Sequence, residues 1–264
     1  MNSHPHPLIV TGSPRTGTTA LCAGLSQHPR VCIFNELCLY HPQPWAAWRV
    51  TQVVDGPHIV NSVPHVWPQK CPPYDEAATT LRVGMSNAEV RSWLFRETER
   101  RMGAGLLVYG DNMPGAYLKH LGTIMEREPG ARLVVTIRDG RDVVASQLRN
   151  FERPTEFGAQ DWRRPTVRDA EPLWLKYMLA WEHWRERIDP ARWIELRYEE
   201  AVLDVDGLLR RLLGFAEVPF EPAEHSAFRA FYRPTHVGAW RESPVDVEAS
   251  LSPEFHACLR RWGY

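Results

Sequence analysis

The sequence predicts an α/β fold with a mostly parallel central sheet flanked by helices. Three observations carry this expectation. Strand-like apolar runs alternate with helical patterns several times along the 264 residues, as repeated β-α units require. Leu133, Val134, Val135 and Ile137 form an almost unbroken apolar run, which suits a central strand covered on both faces. Near its start the chain passes from an apolar run through a glycine-containing turn into a helical segment.

The elements follow in order. Leu8 to Thr11 reads as the first strand, and Gly12 to Thr19 as the turn into a helix that stops near His28-Pro29. Val31 to Phe34 reads as a second strand, with Asn35 and Glu36 at its end. Residues 41–80 hold prolines 42, 44, 57, 64, 68, 72 and 73, which break any long element. Ser86 and Glu89 have the spacing of a capping box, so a helix is expected from there to about Arg101. Leu106 to Tyr109 reads as a strand, Gly110-Asp111-Asn112 as the turn after it, and Ala116 to Arg127 as helix. Beyond the 132–137 strand, Arg138-Asp139-Gly140 turns into a helix over Arg141 to Asn150. Residues 151–170 are polar and broken; Leu173 to Arg187 is expected to be helical, Trp193 to Leu196 a strand and Tyr198 to Leu213 largely helix. The tail from Val237 mixes turns with a final helix. Residues 1–264 are expected to form a single domain.

Composition narrows the function classes. A formal net charge of −1 lacks the electrostatic footprint of a nucleic-acid binder. No apolar stretch reaches about 20 residues, so membrane insertion is not expected. The N-terminus lacks a basic region followed by an apolar run, and a cytoplasmic location is expected. Five cysteines, Cys22, Cys32, Cys38, Cys71 and Cys258, are odd in number and widely spaced. They read as core thiols rather than a disulfide framework or zinc site, and no metal is expected.

Two segments carry anion-binding chemistry. Gly12-Ser13-Pro14-Arg15-Thr16-Gly17-Thr18-Thr19 has the outline of a phosphate loop, in which glycines let backbone N–H groups converge on the start of a helix. A nucleoside-triphosphatase loop would have lysine at Thr18, so the motif speaks for phosphate or phosphosulfate binding and against ATP hydrolysis. An ordinary strand–turn–helix with capping threonines is the alternative. The second segment runs from Arg138, at the tip of the strongest strand, to Ser146 in the following helix. An arginine fork with a hydroxyl suits a phosphate monoester. On spacing alone, Arg138 paired with Asp142 and Ser146 as a core hydroxyl fit equally well.

Pro14-Arg15-Thr16-Gly17-Thr18-Thr19 resembles the 5′-phosphosulfate loop of sulfotransferases that use 3′-phosphoadenosine-5′-phosphosulfate (PAPS), and Arg138 with Ser146 resembles their 3′-phosphate motif. In motif style the chain is similar to bacterial members and to the tyrosylprotein sulfotransferase branch. The resemblance implies a P-loop-like sulfotransferase fold, PAPS as donor, 3′-phosphoadenosine-5′-phosphate (PAP) as product, and no metal. It implies that Thr16 to Thr19 hold the 5′-phosphate and that Arg15 contacts the sulfuryl group. Leu196-Arg197-Tyr198-Glu199-Glu200 and Val237-Gly238-Ala239-Trp240-Arg241 resemble the family's late-strand and closing segments. Tyr198, Gly238, Trp240, Arg233 and Arg241 follow as candidates, against core or surface roles.

In-line sulfuryl transfer needs charge stabilisation, a base and close positioning. Arg15, permanently protonated, fits the first task. Glu36 is the expected base; it lies 21 residues after Arg15, the spacing of the catalytic glutamate in the tyrosylprotein branch. A structural carboxylate is the competing reading, and His41, His58, His65 and His120 are alternative bases. Gly110-Asp111-Asn112-Met113-Pro114 matches a segment where many relatives carry a lysine; Asn112 stands in its place and is expected to face the sulfuryl site. The expected partner is a small-molecule acceptor, with a homodimer left open. Residues 38–105 and 151–172 are expected on the acceptor side. Trp45, Trp48, Trp67, Trp162 and Trp174, with Tyr74, are candidates for lining its cleft, though Trp174, Trp181 and Trp184 also read as core. The rivals are a non-catalytic PAPS- or PAP-binding protein and a small-molecule kinase with a degenerate loop.

Overall fold

The structure, a computed structural model, describes residues 6–47, 81–82, 84–102, 105–152, 164–220, 229, 232 and 234–264. Five parallel strands form one sheet in the order β2-β3-β1-β4-β5. They are β1 (His6–Gly12), β2 (Val31–Asn35), β3 (Val108–Asn112), β4 (Arg132–Ile137) and β5 (Trp193–Arg197). The described α-helices are α1 (Thr18–Leu25), α2 (Asn87–Met102), α3 (Leu121–Arg127), α4 (Gly140–Glu152), α5 (Val167–Arg185), α6 (Tyr198–Leu203), α7 (Val205–Phe215) and α8 (Pro253–Arg261).

Side chains alternate across a strand, so a sheet covered on both faces splits its apolar residues between two cores. Leu8, Val10, Val31, Ile33, Val108 and Val134 pack with α1, α6 and α7 on one face. Ile9, Cys32, Phe34, Leu133, Val135 and Ile137 pack with α2 to α5 and α8 on the other. Leu8, Ile9, Val10, Leu133 and Val134 are fully buried. Each such side chain contributes about 1.5–3 kcal/mol of burial, which makes β1 and β4 the stiff centre of the sheet.

Local chemistry sets the element ends. The capping box forms: Ser86 N–H donates to Glu89 Oε2 (2.8 Å) and Glu89 N–H to Ser86 Oγ (3.3 Å). Helix α5 begins earlier than expected because Thr166 caps it, accepting from Asp169 N–H, and Pro172 is tolerated near its start. The stretch 198–213, expected to lead into a helix, holds two, because Asp204 ends α6 and caps α7 through Gly207 N–H (2.8 Å). Asp111 and Asn112 lie within β3 rather than in a turn, since both are hydrogen-bonded in register with β1 and β2. Cys22, Cys32, Cys38 and Cys258 are buried; Cys71 lies outside the described residues. No described helix is long and apolar enough to cross a membrane.

This topology gathers the loops that matter. Parallel strands all end on one edge, and ligands of such sheets sit there. Gly12 pairs with Thr136, Val10 and Asn35 both pair with Asn112, and Ile137 pairs with Arg197. The predicted residues Arg15, Glu36, Asn112, Arg138 and Tyr198 therefore emerge along a single edge.

Candidate anion-binding and transfer site

The first loop is built around absent side chains. A Cβ on Gly12 would lie 2.4 Å from Thr136 Oγ1, so only glycine lets β1 close against β4 there. Gly17 has φ +94°, caps α1 without a side-chain hydrogen bond, and lies under the Tyr198 ring; a Cβ would meet Tyr198 Cδ2 at 2.8 Å. The start of α1 thus presents backbone donors that no side chain has taken, a ready anion seat. Pro14 is buried. Thr16 is buried and committed inward, its hydroxyl bonding Ser13 O (2.7 Å) and Thr136 Oγ1 (2.6 Å). Thr18 is buried and Thr19 exposed.

Arg15 sits in the left-handed region (φ 76°). Its Nε donates to Ser146 Oγ (3.0 Å). Arg15 is exposed as a residue, but its guanidinium is anchored on buried Ser146 and lies near Arg138. Desolvation, with Arg138 beside it, lowers its pKa to about 10, against the opposing pull of Glu36. The group remains protonated at neutral pH.

Arg138 is buried. Its NH1 donates to Arg15 O (3.1 Å), its NH2 to His236 O, and NH2 lies 3.8 Å from Asp142 Oδ2. Its guanidinium stacks 4.6 Å over the Tyr198 ring. Its Nε is buried without a partner, and a buried guanidinium donor of this kind suits an anionic acceptor. Ser146 is buried and accepts from Arg15 Nε. The two sequence motifs are therefore one constellation: Arg15 bonds the serine of the second motif, and Arg138 bonds the backbone of the first.

The closing segment is pinned to α4. Asp142, fully buried, accepts from Gly238 N–H (2.8 Å) and Trp240 N–H (3.0 Å). Burial raises its pKa, against Arg138 and the two N–H groups. Gly238 (φ 71°) admits the Arg241 guanidinium where a Cβ would stand at 2.4 Å. Trp240 lies under both Arg241 (4.5 Å) and Arg141 (4.6 Å). Tyr198 Oη meets His236 Nδ1 at 3.2 Å. Arg233 lies outside the described residues. In the sequence, Asp142 stands out only as an alternative partner for Arg138. Its spacing of four from Arg138 was the available signal, but its hold on residues about a hundred positions away was not readable.

Glu36 follows β2 directly, half-buried, with φ 61°; its N–H donates to Asn112 O (2.7 Å). Asn112 is fully buried, and its Nδ2 donates to Asn35 Oδ1. Its amide donor is thus engaged within the sheet edge, and Asn112 Oδ1 has no partner. His41 is buried, stacked on Trp45 (4.0 Å), and held down to about 4 by desolvation, with His120 adding to the shift. His28 is structural, bonding Pro219 O (3.0 Å). His58, His65, Trp48, Trp67, Tyr74 and Trp162 lie outside the described residues. Trp174 takes the core role read for it rather than the cleft role: it is fully buried against Phe255 (4.5 Å), and Gly140 packs on it. Trp181 is core as well. Among the described residues no group of His, Cys, Asp and Glu could hold a metal ion.

Comparison with known proteins bears on this edge as a whole. A protein of Aquifex aeolicus, described as uncharacterized, is 25% identical over 225 residues, which are 83% of this chain and 26% of that protein. An omega-hydroxy-beta-dihydromenaquinone-9 sulfotransferase, Stf3, of Mycobacterium tuberculosis is 27% identical over 193 residues, 67% of this chain and 45% of the relative. The chain thus spans less than half the length of these curated relatives. The fold is similar to the sulfotransferase domain of the Synechococcus PCC 7002 olefin synthase, with a TM-score of 0.66 at 18% identity, covering 100% of this chain and 96% of that one. The sulfotransferase family model matches residues 7–222, which include the glycine loop, Glu36, Asn112, Arg138, Ser146 and Tyr198. With that match over most of its length, the chain belongs to the sulfotransferase family.

Proposed function

We propose that the chain transfers a sulfuryl group from PAPS to a hydroxyl, or an amine, of a small aromatic or lipophilic acceptor. The acceptor atom attacks sulfur, the bond from sulfur to the 5′-phosphate oxygen breaks, and PAP departs. The observation that carries the reading is the joined pair of cradles: the open N-terminus of α1 at Gly17, and buried Arg138 with an unpartnered Nε, tied together by Arg15. They suit the two phosphate ends of one nucleotide.

The residues present fit that donor. Thr18, Thr19 and the N–H groups beside Gly17 would receive the 5′-phosphate, and Arg138 with Ser146 the 3′-phosphate. Gly238, Trp240 and Arg241 would cover it. Arg15 would stabilise charge developing on the transferring group and leaving oxygen. Glu36 would take the acceptor proton; its electrostatic pull on Arg15 supports placing the two at one reacting centre. Residues 38–105 and 151–172 would form the acceptor side. A lipophilic hydroxyl acceptor is consistent with the name of the mycobacterial relative.

The test is PAP release from PAPS by wild type and Glu36→Gln. Glu36→Gln is expected to slow turnover by about 10²–10⁴, with PAP affinity nearly unchanged. A large loss of PAP affinity would make Glu36 structural. The engaged amide of Asn112, standing where many relatives carry lysine, favours a second reading, a non-catalytic PAP-binding protein. Tight PAP binding with PAPS turnover at the solvent rate would select it.

A further inference from the structure

We propose that Asp111 is a positioning residue that fixes the turn carrying Glu36, and so aims the base at the acceptor. The proposal rests on the reading of Glu36 as base.

Asp111 lies in β3, next to the strand that Glu36 follows, and is fully buried. Its Oδ1 accepts from Leu37 N–H (3.2 Å) and its Oδ2 from Leu39 N–H (3.0 Å). The Tyr117 hydroxyl donates to Oδ2 and accepts from Tyr40 N–H (3.1 Å). Glu36 N–H is held by the carbonyl of Asn112, the next residue of β3. Residues 36, 37, 39 and 40 thus each give their N–H to β3 or to the tyrosine bonded to it.

The turn needs that hold. Glu36 (φ 61°) and Cys38 (φ 59°) are both left-handed, a conformation that side chains with a Cβ keep only when surroundings over-determine it. A buried carboxyl group whose two oxygens each accept a backbone N–H supplies that constraint. Asparagine at 111 would keep the shape but turn an NH₂ toward one of those donors, releasing part of the turn. Glu36 would then lose its fixed direction while the glycine loop and Arg138 stayed in place.

The test is a double-mutant cycle on the full chain. The readout is PAP release from PAPS, with phenol, whose hydroxyl stays protonated at neutral pH, as acceptor probe and water as acceptor where the phenol is not turned over. Asp111→Asn is expected to lower kcat by at least about 10-fold, as misplacement of a reacting group does, with PAP affinity within about 2-fold. In the Glu36→Gln background the same change should add less than about 2-fold, because there is no base left to aim. Tyr117→Phe keeps the ring in the core and removes only the hydroxyl. It should show the same non-additivity at smaller size, and it decides the matter if Asp111→Asn does not fold. Losses that multiply, or a parallel fall in PAP affinity, overturn the proposal while leaving Glu36 as base. If Glu36→Gln alone turns over normally, the base assignment fails and the proposal falls with it.

Discussion

Replacing Asp142 by asparagine would unlatch the closing segment from helix α4. The carboxylate is fully buried, and its two oxygens accept from Gly238 and Trp240 N–H at 2.8 and 3.0 Å. Asparagine retains one acceptor oxygen, so one charged hydrogen bond is lost, worth about 1.5–3 kcal/mol. Arg138, 3.8 Å away and itself buried, also loses its carboxylate. Together these suggest roughly 2–4 kcal/mol, with each 1.4 kcal/mol a factor of ten in affinity. Part of that loss appears as reduced stability and the rest as weaker binding. By the proposed reading the latch serves the 3′-phosphate end, so the loss should depend on that phosphate. Calorimetric titration of Asp142→Asn should show PAP weakened by at least about 10-fold, and 5′-AMP by less than about 2-fold. Equal weakening of PAP and AMP, or unchanged PAP binding, would refute the latch.

Two further outcomes follow from the same geometry. Gly17→Ala forces a Cβ onto a residue at φ +94°, and 2.8 Å from the Tyr198 ring. Left-handed strain of about 1–2 kcal/mol should lower Tm by about 2–8 °C and weaken PAP binding; an unchanged Tm would show that the loop relaxes freely. Asp111 gives a pH signature. Burial raises its carboxyl to about 7, with Tyr117 and the Leu39 and Leu37 N–H groups opposing and Glu36 adding to the rise. The native chain therefore holds a proton that the unfolded chain releases near pH 4, so this contribution is complete at low pH and is lost as pH rises toward 7. Between pH 5 and 7, wild type should lose up to about 3 kcal/mol relative to Asp111→Asn in urea unfolding. A difference independent of pH would contradict the assignment.

The parallel sheet was legible because its signals are local. The Leu133–Ile137 run, the Gly12–Thr19 turn and the Ser86–Glu89 box each announce an element by periodicity or capping. The shared position of the candidate residues was legible for the same reason: Arg15, Glu36, Asn112 and Arg138 lie at or just beyond strand ends, and parallel strands bring their ends together. What could not be read were contacts made at long sequence distance. The bond from Arg15 to Ser146 spans 131 residues, and it merges motifs that looked separate. Asp111 read as a turn residue because Gly110-Asp111-Asn112 has turn composition. Pairing on both sides, with β1 and β2, overrides that local preference. Trp174 could have lined a cleft or filled the core, since an aromatic on a helix serves either; packing against Phe255 and Gly140 decided it.

The most direct measurement is a competition between PAP and ATP for the wild-type chain, with and without Mg²⁺. Two basic cradles joined through Arg15 predict that PAP binds tightly, is indifferent to magnesium, and outcompetes ATP. A preference for ATP that requires Mg²⁺ would contradict the account.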